Sequence, residues 1–328
     1  MKKERSPVFD ILRFILVVLV VNLHIRIITS SPENFLEQFV YIAVPLFLVL
    51  SFYLMSKYLL QYRLPITSIF KRIKRLILPL IFWSVIGYAV YPSLFSWHHL
   101  FRQLLTGSAL NVPLYYLVLL TIFTFIFWVC TYIPLKTRWI IFAVITSLTF
   151  IVQYSNFNYE FFNHLSDSAY RTTYGRFAEL IPYPIMGLLF GYLLREIKKN
   201  NFIIGVLFFV FAILFFIASY TRQPNGFHYS GIALFSITIA IFSAVLLLSK
   251  ISLKLQFNRV TDELGKLSFG VYLMHFIFLQ FLLVEMPFLK PFIIHNSLLF
   301  LVILVPVCYA VCYLIKKLSM EKLAFLVQ

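Results

Sequence analysis

Four polar side chains interrupt FDILRFILVVLVVNLHI, an otherwise apolar stretch near the start of this 328-residue chain: Asp10, Arg13, Asn22 and His24. Arg13 and His24 are eleven residues apart, about three helical turns, so they lie on nearly one face. Asp10, three residues before Arg13, falls on the same side. Along the axis about 16 Å separates arginine from histidine. An imidazole takes a proton from a hydroxyl near neutral pH, which is general-base work. An arginine oriented by a carboxylate holds an anion. The plainer reading is structural: His24 as a hydrogen-bonding residue between helices, and Asp10–Arg13 as an ion pair with Arg13 reaching for the interface. A charged stripe down one face of a spanning helix is costly unless it meets a polar cavity, and that favours chemistry.

Three other segments carry candidate groups. Lys71, Arg72, Lys74 and Arg75 precede LILPL with Pro79. They read either as a cytoplasmic anchor or as a phosphate site, since Arg72 and Arg75 at i,i+3 present guanidinium forks to one anion. In LGKLSFGVYLMHF, Ser268, Tyr272 and His275 fall within about 60° on a helical wheel, one polar face suited to a cavity wall or to interhelical glue. Arg176 and Glu179 form another i,i+3 pair, a simple interface pair or a contact for a polar acceptor. His98 and His99 adjoin Trp97; adjacent residues do not share a helix face, so they read as an interfacial aromatic segment rather than a chelate. Cys130, Cys308 and Cys312 lie in apolar runs and read as packing residues, with neither a disulfide framework nor a metal site expected. No phosphate-binding glycine loop, dinucleotide fingerprint or zinc signature is present.

The elements that position these groups follow from composition. Hydrophobic residues make up 61% of the chain and charged residues 12%, about half the charge of a soluble domain. Apolar runs of spanning length fall near 8–29, 38–60, 75–92, 112–133, 138–156, 176–195, 202–220, 229–249, 267–285 and 293–315. The expectation is an all-α polytopic membrane protein, one domain over 1–328, with about ten transmembrane helices around a polar cavity. With the N-terminus in the cytoplasm, 21 of the 28 Lys and Arg residues fall on the inside and 6 outside, with Arg13 inside the first run. Both termini are therefore expected in the cytoplasm, and the first run is expected to be a retained helix rather than a cleaved leader. The net charge of +16 sits in short clusters between apolar runs, which suits topology and contact with the lipid bilayer rather than nucleic acid. Gly187 and Gly191, a G-x-x-x-G, read as a close helix contact.

These residues together resemble acyltransferase family 3, membrane enzymes that move acyl groups onto bacterial envelope saccharides. D-x-x-R with R-x10-H is present as Asp10, Arg13 and His24. The R-x-x-R-[IL]-x-x-P pattern is matched by Arg72, Arg75, Leu76 and Pro79, and S-[FY]-x-x-Y-L-x-H by Ser268, Phe269, Tyr272, Leu273 and His275. Arg176, Glu179 and Gly187 correspond to a weaker R-x-x-E pattern. Two departures stand out: Phe52 follows Ser51 where the family has glycine, and Tyr115, Tyr116 and Leu117 replace an opening W-[FY]-L. The resemblance implies acetyl-CoA or another acyl-CoA as cytoplasmic donor and no metal. It also implies a saccharide or lipid-linked sugar acceptor and a place in the bacterial inner membrane. On it, His24, Asp10 and Arg13 are the catalytic set, with His24 as general base or acyl carrier and Asp10 orienting Arg13. Arg13, Arg72 and Arg75 meet the acyl-CoA, and Arg176, Glu179, Ser268, Tyr272 and His275 meet substrate. The competing class is a transporter or flippase for a lipid-linked sugar or anionic solute, which tends to show internal repeats or broken helices, and neither is found here.

Overall fold

The computed structural model describes residues 7–29, 36–90, 96–107, 114–154, 177, 179–196, 231–250 and 258–318, with scattered helical positions between 205 and 217. In chain order the helices are α1 (Pro7–Thr29), α2 (Glu37–Val40), α3 (Ala43–Leu59), α4 (Ile66–Val90), α5 (Trp97–Thr106) and α6 (Tyr115–Val129). There follow α7 (Leu135–Tyr154), α8 (Pro182–Glu196), α9 (Gly231–Lys250), α10 (Asn258–Glu285), α11 (Leu289–His295) and α12 (Ser297–Leu318). The described residues contain no strand. Five helices among them are long and apolar enough to cross a membrane, and the shorter Ala43–Leu59, Pro182–Leu194 and Ala233–Ser249 are apolar too. The protein is an all-α polytopic membrane protein. The expected run at 202–220 lies largely outside the described residues.

Two helices begin about nine residues before their apolar runs. α4 starts at Ile66 rather than near 75, and α10 at Asn258 rather than near 267. Their 25 and 28 residues give roughly 38 and 42 Å, more than the hydrocarbon core of about 30 Å. Charges end an apolar run without ending a helix, because polar side chains in the first turns reach water. On α4 the extension carries Lys71, Arg72, Lys74 and Arg75. On α10 it carries Lys266, paired with Asp262 and 3.2 Å from Glu263, which also accepts from Lys316 of α12 at 2.8 Å.

Small residues set the close approaches. A side chain at Gly187 would strike Val49 O of α3, and one at Gly191 would strike Ser56, so the G-x-x-x-G seats α8 directly on α3. Phe52, fully buried on α3, fills the neighbouring space with its ring 5.1 Å from Phe127 of α6. α10 packs against both α1 and α12, and Cys312 donates to Met274 Sδ at 3.2 Å across the second contact.

The turn that sends the chain into α4 is tied down by polar groups. Arg138 of α7, 2% exposed, donates to Leu59 O at 2.8 Å and Gln61 O at 3.3 Å, carbonyls of the last residue of α3 and of the turn after it, where helical donors run out. Trp128 Nε1 donates to Leu64 O at 2.8 Å, and Arg63 N–H, at φ 53°, donates to Thr131 O at 2.9 Å. Arg138→Ala removes two charge-assisted bonds and leaves the carbonyl of buried Leu59 without that donor. Its expected effect is a loss of about 1.5–3 kcal/mol, seen as a lower melting temperature in detergent.

α5 has no counterpart among the ten apolar runs. Ser96 Oγ caps it by accepting from His99 N–H at 3.1 Å, and Gly107 ends it in the left-handed region at φ 67°. Trp97, Phe101 and Leu105 expose one apolar ring or chain per turn while Gln103 and Thr106 are buried. Such a helix suits a position in the plane of the membrane surface, as expected of the aromatic segment around Trp97.

Candidate active site

α1 and α10 lie side by side and bring two histidines from opposite ends of the chain into contact. His24 Nδ1 is 2.8 Å from His275 Nε2, and the rings lie edge to edge and nearly coplanar, with centroids 5.0 Å apart and 26° between their planes. Phe276 sets its edge against His24 at 5.3 Å, and both imidazoles are buried. Val271 O, one turn back on α10, lies 3.0 Å from His275 Nδ1. The position of His24 follows from α1: seventeen residues after Pro7 in a helix of 23, it stands toward the C-terminal end, more than four turns from the start.

Asp10 and Arg13 occupy the other end of the same face. Asp10 is 1% exposed and paired with Arg13, whose side chain retains partial exposure. Gly265 of α10 makes this possible, because a Cβ there would collide with the Asp10 carboxylate. Gly265→Ala is expected to push Asp10 aside and destabilise the protein by about 1–3 kcal/mol, read as a fall in melting temperature. An unchanged melting point would show that the contact is slack.

Between the two ends runs a row of aromatic polar groups. Arg72 of α4 lies within electrostatic reach of Tyr116, Arg75 and Arg13. The Tyr116 hydroxyl shares a hydrogen bond with Ser51 Oγ at 3.2 Å. Its ring meets Tyr272 edge-on at 5.8 Å, and Tyr272 in turn lies 6.1 Å from His275 on the same helix. Phe47 of α3 packs against both tyrosines, at 5.7 and 6.5 Å. Helices 1, 3, 4, 6 and 10 of the described set thus contribute to one polar seam from Arg13 to His24. Arg72 is only partly exposed, and its Nε is buried without a hydrogen bond. A guanidinium left this way among other cations is a group arranged for an anion.

A family model described as an acyltransferase domain, that of acyltransferase family 3, matches residues 7–317, nearly the whole chain. The chain belongs to this family. No curated protein and no solved structure matches it. The protein is therefore a membrane acyltransferase. Among the described residues no group of three or more His, Cys, Asp or Glu side chains is placed to hold a metal ion.

The remaining candidate residues of the acyltransferase divide by position. Ser268 donates to Leu264 O at 2.7 Å and shares a 2.8 Å hydrogen bond with the Tyr309 hydroxyl, so it faces α12 rather than the two histidines. Arg75 is exposed at the outer surface of α4, and Glu179 is exposed before α8. Arg176 lies outside the described residues. The three cysteines are free thiols, and His295 bonds its own helix through Pro291 O at 2.8 Å. Tyr116 and Ser51 join the seam although neither was among the candidate site residues. Both stand beside departures from the family pattern, and that was the available signal.

Proposed function

We propose that this acyltransferase moves an acyl group, acetyl foremost, from cytoplasmic acyl-CoA to a hydroxyl of an envelope saccharide. The observation that carries the reading is the seam itself, with cations at one end and a buried histidine at the other. In this reading both termini are cytoplasmic and the protein resides in the bacterial inner membrane. Arg72 and Arg13, with Arg75 at the rim, hold the phosphates of the nucleotide. The pantetheine arm lies along Tyr116 and Tyr272, whose rings pack its methylenes and whose hydroxyls meet its amides. The thioester then stands at His24.

The acceptor hydroxyl enters from the outer side and gives its proton to His24 as its oxygen attacks the thioester carbonyl. A new C–O bond forms, the C–S bond breaks, and the leaving thiolate takes the proton back from the imidazolium. CoA thiol and the ester are the products, and His24 is neutral again. No redox partner or metal is required by this balance. Asp10 orients Arg13 and takes no proton.

Mass spectrometry of envelope glycans from a strain lacking the protein tests the reading. Ester-linked acetyl groups should disappear from one glycan and return when the wild-type protein is restored. Unchanged acylation of every envelope glycan in that strain would overturn it.

A further inference from the structure

His275 carries both of its ring nitrogens in defined contacts, and those contacts determine the state of His24. Val271 O only accepts, so the His275 nitrogen 3.0 Å away, Nδ1, bears the proton. A neutral imidazole then holds its lone pair on Nε2. That lone pair points at His24 Nδ1, 2.8 Å distant, which must carry the proton of the shared hydrogen bond. The lone pair of His24 is left on Nε2, the nitrogen that the contact with His275 does not use.

We infer that His275 is a positioning residue that holds His24 in the Nδ1–H tautomer and presents Nε2 as its reacting nitrogen. This rests on the reading of His24 as the base and adds the atom and the group behind it. When Nε2 takes the acceptor's proton, His24 bears a proton on each nitrogen. The bond from Nδ1–H to His275 then becomes charge-assisted and strengthens as the ester forms. His275 thus does for His24 what a buried carboxylate does in a hydrolase triad, without introducing a second charge into the bundle. The hydrogen bond to His275 and the ring of Phe276 keep the imidazole from turning over, which would put a carbon in the place of Nδ1 and break the bond.

Nitrogen NMR of histidine-labelled protein in nanodiscs reads the tautomer without any turnover, with the His24 signals assigned by their loss in His24→Ala. Wild type is expected to show His24 protonated on Nδ1, and His275→Leu should release it to the Nε2–H form. In turnover, His275→Leu should lower kcat about 10²- to 10⁴-fold while KM for acetyl-CoA moves less than about threefold. His275→Gln, whose side-chain carbonyl accepts in place of Nε2, should recover at least tenfold of that loss. An Nε2–H tautomer in the wild type would overturn the inference even if His275→Leu failed to fold, as would equal loss in the Leu and Gln variants. A correct tautomer together with an active His24→Ala protein would instead remove His24 as base, which separates the two failures.

Discussion

Acyl transfer by a His24→Ala protein is expected to fall about 10²- to 10⁴-fold, the range that a positioned general base supplies. Insertion should survive the change. His24 has one side-chain hydrogen bond, to His275, and its ring sits among packed apolar neighbours that belong to α1 and α10. What the variant loses is the nitrogen that takes the hydroxyl proton, so the defect should lie in kcat and leave acyl-CoA affinity unchanged. Transfer of labelled acetyl from acetyl-CoA by purified protein, with membrane extraction as a check on insertion, provides the measurement. Undiminished transfer would exclude His24 from the chemistry.

Removing the two guanidinium groups of α4 should have the opposite kinetic signature. Arg72→Ala with Arg75→Ala is expected to raise KM for acyl-CoA about 10- to 100-fold at nearly constant kcat, as expected for charge-assisted hydrogen bonds worth about 1.5–3 kcal/mol. Most of the effect should come from Arg72. Its Nε is buried and it lies near Arg13 and Tyr116, whereas Arg75 is exposed. Lys71 and Lys74, exposed on the same turns, serve as the control; their alanine variants should bind acyl-CoA as wild type does. Equal affinity in the Arg72 variant would leave the basic cluster with an anchoring role alone.

The polar stripe of α1 was legible in the sequence because helical periodicity places Asp10, Arg13 and His24 on one face whatever their neighbours are. Apolar runs likewise marked the helices. They could not mark where α4 and α10 begin, since a hydropathy reading stops at Lys71 or Lys266 while the backbone continues helical into the polar zone. The wheel of α10 grouped Ser268, Tyr272 and His275, yet a 60° arc on a helix with two neighbours spans two environments. Ser268 met Tyr309 of α12, and His275 met His24 of α1. The contact between His24 and His275 joins residues 251 apart, and that between Ser51 and Tyr116 joins residues 65 apart. Nothing local encodes either. Gly265 reads in the sequence as an ordinary helix glycine, and only the packing of Asp10 against it gives it a function.

The central claim is that an acyl group enters at the cationic cytoplasmic end of the seam and leaves at His24. Right-side-out membrane vesicles carrying the protein test it when labelled acetyl-CoA is loaded inside or supplied outside. Label should reach envelope saccharides only from the internal pool, and only with wild-type protein. Transfer from the external pool alone, or equal transfer by His24→Ala protein, would contradict it.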